Sequence, residues 1–158
     1  PTIKEKNGIY KTIMTRRVLP KDFDNLERVK NNSCLFQENI QKEYEIRLTV
    51  IGDELFPIAI HSQDSEVSRD DFRRYDFERV RYDLVEIPKE FKVKILRLMN
   101  GYRLHYATID VIYTPKKEYI FLELNPNGQY LWTEEMSGAK ITSSFADYLA
   151  GLRISKEF

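Results

Sequence analysis

Two residues, Gly52 and Asp53, separate two runs of extended-chain character, and this junction constrains the fold more than any other feature of the sequence. Ahead of it, Tyr44, Ile46, Leu48 and Val50 fall on one side of a strand, with Glu45, Arg47, Thr49 and Ile51 on the other. A Gly-first two-residue turn has the twist that a hairpin needs, so residues 54–62 are expected to return as the partner strand. A second hairpin is predicted from residues 107–114 and 119–125, joined by Pro115-Lys116-Lys117-Glu118. Helices are expected between these units. Pro20 opens one that runs to about Lys30 with Phe23, Leu26 and Val29 inward. Pro88 opens another with Phe91, Ile95, Leu98 and Met99 at helical spacing and Gly101 as the stop. Thr142 caps a last one carrying Phe145, Ala146, Leu149 and Leu152. Residues 9–15 and 33–37 read as short strands. Residues 63–83 are so dense in charge that they read as a loop or exposed edge. Helices alternating with antiparallel hairpins indicate an α+β architecture, not a doubly wound parallel sheet. Residues 40–43 are the expected hinge between two lobes.

Composition narrows the function classes. The 158 residues suffice for one sizeable domain or two small ones, and 42% are hydrophobic, enough for a packed core. Charged residues make up 32% and balance to zero, which argues against a polyanion-coating surface and hence against nucleic acid or a membrane as partner. The single cysteine, Cys34, allows no internal disulfide and favours a reducing, cytoplasmic compartment. Its setting, Ser33-Cys34-Leu35-Phe36, reads as a buried small hydrophobe. No apolar run is long enough to cross a bilayer.

The second hairpin carries the chemistry. If its loop closes symmetrically on Lys116-Lys117, Thr114 pairs with Tyr119, and counting back sets Asp110 opposite Glu123. Asn125, two residues on, shares the face of Glu123. Two facing acids repel, and a divalent cation between them resolves the conflict. Oxygen donors suit magnesium, manganese or calcium better than zinc. The other reading is two acids on a solvated face, because a one-residue slip would separate them. Asn125-Pro126-Asn127-Gly128-Gln129 then breaks the strand, with Asn127-Gly128 permitting positive φ.

Asp110 followed by Phe121-Leu122-Glu123-Leu124-Asn125-Pro126-Asn127-Gly128-Gln129 resembles the ATP-grasp ligases. It is most similar to their graspetide maturase branch, which cross-links ribosomal peptides such as microviridins and is itself similar to ribosomal-protein glutamate ligases. The resemblance covers nearly the whole chain. It implies an ATP-grasp fold of two lobes, with residues 1–40 the remainder of the N-terminal lobe and 41–158 the C-terminal lobe. The preceding α/β domain of the family is expected to be absent from this chain.

The resemblance also implies roles. Asp110, Glu123 and Asn125 would hold Mg2+. Phe36-Gln37-Glu38-Asn39-Ile40 resembles the lobe link that binds adenine, which brings in Gln37, Glu38, Asn39 and Ile40. Glu45-Ile46-Arg47 resembles the family triplet whose acid holds the ribose and whose arginine faces phosphates or substrate. From the residues alone, Glu45 and Arg47 could bind a ligand, but an exposed pair worth little is the preferred reading. Asp71-Phe72-Arg73-Arg74 is similar to the Asp-Trp-Arg segment, which makes Arg73 a phosphate-side residue. Lys4 matches the second of two phosphate-holding lysines, with Asn7-Gly8 in place of the usual Gly-rich loop. The first lysine lies upstream or is absent.

The implied activity is that of an ATP- and magnesium-dependent ligase. A substrate carboxylate takes the γ-phosphoryl group, and an amine or hydroxyl displaces it, leaving an amide or ester, ADP and phosphate. The implied partner is a precursor peptide with leader and core, and homodimerisation is compatible with the family. Residues 69–81 are a candidate leader contact. The alternatives are an ATP-grasp amino-acid or glutamate ligase with another acceptor, a non-catalytic nucleotide-binding fragment, and a purely structural α+β domain. His61 and His105 read as structural.

Overall fold

The computed structural model describes residues 2–4, 10–12, 14–30 and 33–151. Two short strands, β1 (Thr2–Lys4) and β2 (Tyr10–Thr12), pair antiparallel with Ile3 opposite Lys11. A helix of the 3-10 type spans Pro20–Val29. The main sheet is built from β3 (Tyr44–Ile51), β4 (Glu54–Ile60), β5 (Tyr82–Leu84), β6 (Tyr106–Tyr113) and β7 (Tyr119–Asn125). Its spatial order is β5-β4-β3-β6-β7 with every pairing antiparallel. The β3–β4 hairpin turns on Gly52 at φ 58° while Asp53 stays at negative φ, the Gly-first turn that the sequence requires.

β3 is the centre of the molecule, and both of its faces are covered. Ile46, Leu48 and Val50 pack with Ala107, Ile109 and Val111 of β6 against α1 (Lys89–Gly101), whose Ile95 and Met99 are buried there. On the opposite face Ile51, Phe56, Ile58 and Ile60 meet Val80, Tyr82, Ala139 and Ile141. That side is closed by the 62–83 loop, α2 (Leu131–Ser137) and α3 (Ile141–Leu149). The charged stretch 63–83 is therefore a loop ending in the edge strand β5. It nevertheless buries Ser65, Ser68, Asp71, Val80 and Tyr82, because it lies over the sheet.

Several expectations need correction. Residues 33–37 form no strand; Cys34, Leu35 and Phe36 are exposed, since no strand pairs with them to make a core. Residues 14 and 15 lie beyond β2, and Ile9 and Ile13 are outside the described residues. Phe23 and Val29 fall on one line of the 3-10 helix, but both remain exposed; the Leu26 side chain is outside the described set. Thr142 does not cap α3 with its side chain. Its backbone N–H is taken by the Glu134 carboxylate of α2, which supplies the negative charge that a helix start favours. Leu152 is outside the described residues. His61 and His105, read as structural, each have a partner: His61 bonds Asp83 at 3.0 Å, and Tyr148 Oη lies 2.6 Å from His105 Nδ1.

Candidate active site

The β6–β7 hairpin reaches the expected pairing by an unexpected route. Its loop is a turn over Pro115 and Lys116 followed by Lys117 in the left-handed region (φ 63°), with Thr114 and Glu118 hydrogen-bonded across it. Tyr113 therefore pairs with Tyr119, one position out of step with the symmetric closure. A β-bulge then takes up Leu122 as an extra residue, and Asp110 sits opposite Glu123 after all. Thr108 faces Asn125 on the next rung of the same face.

Asp110 is 8% exposed and Arg47, its cross-strand neighbour on β3, 9%. Arg47 Nη1 donates to both Asp110 oxygens at 2.8 Å, and Nη2 reaches the Gln129 carbonyl at 3.3 Å. Arg47 is thus neither half of an exposed pair nor turned to open solvent; burial between β4 and β6 fixes it on the acid. Burial lifts the Asp110 carboxyl above its ordinary value, Arg47 opposes this, and the adjacent Glu123 carboxyl adds to the lift. Among the described residues no cation pairs with Glu123. The Asn125 side-chain oxygen accepts from the Asn127 N–H at 2.9 Å, and the Asn125 carbonyl from Gly128 N–H at 3.2 Å. Neither Asn127 nor Gly128 has positive φ. Gly128 is demanded instead by contact, because a Cβ there would lie 1.6 Å from Thr108 Oγ1.

Above these acids opens a cleft of about 960 Å³. It collects most of the residues singled out in the sequence. Gln37, Glu38, Asn39 and Ile40 form one wall, Arg73 another, and Glu45, Asp110 and Glu123 also line it. Glu45 is 3% exposed, not a surface group; Lys42 Nζ and Ser62 Oγ both hold its carboxylate, while burial pushes its pKa upward. Arg73 Nε and Nη2 grip Asp71 at 2.8 and 2.7 Å. That contact holds the guanidinium above its ordinary pKa, with Glu123 and Asp110 adding to it. Burial alone would raise the Asp71 pKa, but Arg73 and the backbone N–H groups of Thr15 and Arg73 outweigh it and the net shift is downward. Asp71 was not picked out in the sequence as a site residue; its spacing two before Arg73 was the available signal. Lys42 and Ser62 carried no such signal. The Lys4 side chain and Asn7-Gly8 lie outside the described residues. A second groove of about 500 Å³ between α1 and β7 is lined by Leu98, Tyr102, Leu104, Phe121, Leu124 and Pro126, with no acid or base among them.

A profile for the RimK-like ATP-grasp domain matches residues 2–149. The chain belongs to this family. The ATP-grasp domain also superposes on solved ligases. One is a Chryseobacterium gregarium RiPP-associated ATP-grasp ligase in complex with ADP and a leader and core peptide. It matches with a TM-score of 0.87 and 28% identity over 99% of this chain and 47% of that one. The macrocyclase MdnC from Microcystis aeruginosa MRC, bound with precursor peptide MdnA, matches with a TM-score of 0.79 and 31% identity over 96% and 44%. The ATP-grasp ligase PsnB, complexed with minimal precursor, Mg and ADP, matches with 0.71 and 25% over 90% and 44%. The chain thus spans less than half the length of each. No curated protein sequence matches it. Among the described residues no helix is long and apolar enough to cross a membrane.

The donor set of this ATP-grasp site fits magnesium. Asp110 and Glu123 offer it two carboxyls from one rung, both lining the cleft; Asn125 is not part of that lining, and its side-chain oxygen accepts from the Asn127 N–H. Magnesium is held in this manner, by one or two carboxylates completed by phosphate and water oxygens. The mutual crowding of Asp110 and Glu123 is the strain that such a cation would relieve.

Proposed function

We propose that this domain is the nucleotide- and magnesium-binding part of an ADP-forming ligase that cross-links a ribosomal precursor peptide through an acyl phosphate. The observation that carries the reading is the rung shared by Asp110 and Glu123 in a cleft that residues 37–40 also line. Residues 1–40 would be the remainder of the N-terminal lobe and 41–158 the C-terminal lobe. In that arrangement Gln37, Glu38, Asn39 and Ile40 hold adenine, Glu45 accepts from the ribose hydroxyls, and Lys4 meets phosphates from the other lobe.

Asp110, Glu123 and Asn125 would hold magnesium, which when bound supplies positive charge beside the transferred phosphoryl group. The remaining work falls to fixed side chains. Arg73, held rigid by Asp71, offers its guanidinium to the oxygens on which charge builds. Arg47 acts one layer deeper than the sequence suggested, keeping the Asp110 carboxylate in place and aimed at the cleft. The carboxylate of a substrate peptide takes the γ-phosphoryl group, and a hydroxyl or amine of the same peptide displaces it. The protein supplies position and charge, not a covalent nucleophile.

Calorimetry of ADP binding with and without magnesium tests the site. Tighter binding with magnesium that is lost in Asp110→Asn and Glu123→Gln supports it, and equal binding in all three proteins refutes it. Titration with an acidic precursor peptide against free glutamate separates a peptide ligase from an amino-acid ligase.

A further inference from the structure

The Asn125-Pro126-Asn127-Gly128-Gln129 turn packs against β6, and three side chains outside the cation-ligand set contact it. Thr108 is fully buried directly beneath Gly128, so close that the glycine has room for no side chain at all. Tyr106 Oη donates to the Gly128 carbonyl. The Tyr106 ring is itself wedged edge-on against Tyr130 and Phe145, at 6.1 and 5.2 Å between centroids. Arg47 ties the next carbonyl, that of Gln129, to the Asp110 carboxylate. The turn that orients the Asn125 amide is thereby pinned from below by Thr108, from one side by Tyr106 and through Arg47 to the acid.

We propose that Gly128, Thr108 and Tyr106 are positioning residues for the cation site: they set the height of the turn over β6 and so the distance between the Asn125 amide and the Asp110–Glu123 pair. None of the three donates an atom to the site. They act on it as outer contacts act on metal ligands, where their loss costs about 10–100-fold in metal affinity. This rests on the reading of the hairpin as a magnesium site.

The test uses the intact chain with ADP as ligand, titrated with and without magnesium, and circular dichroism as the check on folding. Gly128→Ala should weaken the magnesium-dependent binding by at least about tenfold and leave magnesium-free ADP binding unchanged, because residues 37–40 lie elsewhere in the cleft. Thr108→Gly in an otherwise wild-type chain removes the support beneath the turn without adding a methyl and should weaken the same magnesium-dependent binding. Tyr106→Phe, which removes one oxygen, should give a smaller loss of the same kind and carries the test if Gly128→Ala does not fold. Magnesium dependence equal to wild type in Gly128→Ala, in Thr108→Gly or in Tyr106→Phe overturns the proposal. A wild-type chain that binds ADP equally with and without magnesium removes the metal reading itself, a result distinct from any difference between variants.

Discussion

Asp110 and Glu123 face each other across the β6–β7 ladder even though the hairpin that joins them begins one residue out of register. The left-handed Lys117 at the loop shifts the pairing, and the extra residue Leu122 shifts it back. Two irregularities cancel, and the acids meet in the lining of the cleft.

That meeting makes the site sensitive to acid. Asp110 is raised above its ordinary 3.8 chiefly by burial, with Glu123 contributing. A cation needs the deprotonated pair, so magnesium-dependent ADP affinity should fall as pH drops from neutral into the range above 3.8, with proton release on binding. Glu123→Gln removes the acidic neighbour and should lower the pH at which Asp110 takes up its proton. Calorimetry in buffers of different ionisation enthalpy measures both, and a flat profile contradicts the assignment.

The same shifts give a sign for stability without ligand. Where the folded pKa of an acid is raised, the fold binds the proton more tightly than the unfolded chain. The stabilising contribution of Asp110 is then complete below 3.8 and lost as pH rises through its raised value; Glu45, raised above 4.5 by burial, behaves alike. Asp71 is shifted the other way, and its contribution is lost as pH falls below 3.8. In denaturant titrations at pH 4 to 7, Asp110→Asn should flatten the decline in stability toward neutral pH, and Asp71→Asn should leave that decline in place.

Arg47 and Arg73 should separate cleanly in stability. Arg47→Ala strands a buried carboxylate and should cost about 3–5 kcal/mol, whereas Arg73→Ala should cost less, because the backbone N–H groups of Thr15 and of residue 73 stay on the buried Asp71 carboxylate. Urea unfolding checks the order, and equal costs would contradict the burial of Arg47.

Leu48 and Leu35 offer a parallel contrast between two apolar runs. Leu48→Ala, at the centre of β3, should cost about 2–5 kcal/mol, and Leu35→Ala, at an exposed position, no more than about 0.5 kcal/mol. A large loss at Leu35 would restore the strand first read at 33–37.

Two glycines should respond oppositely to alanine. Gly52 has φ 58°, and a methyl there meets the Tyr148 ring at 2.8 Å, so Gly52→Ala should cost about 1–3 kcal/mol. Gly101 ends α1 with nothing within 4 Å, and Gly101→Ala should stabilise by about 0.5 kcal/mol. Thermal melts of the two variants read this directly.

What could be read from residues alone was whatever depends on local chemistry. The alternation of 44–51, the Gly52-Asp53 turn and the Pro88-to-Gly101 helix all follow from period and punctuation, and the structure has them. The Asp110–Glu123 rung was reached although symmetric loop closure is not what occurs, because a bulge cannot be read from alternation. Residues 33–37 misled because an apolar run does not show whether a neighbour exists to cover it. Asp71 and the depth of Arg47 depend on which loop lies over which face, a matter of tertiary packing that no window of sequence contains.

The strand that holds Glu123 and Asn125 is also the margin of the sheet. β7 has one neighbour where β3 has two, and its residues are far less covered than those of β6. It should fray before the centre does, so hydrogen exchange in 119–125 would be fast in the empty protein. An ion bridging to Asp110 would stitch that margin to the interior, and loading the cleft would slow exchange there most of all.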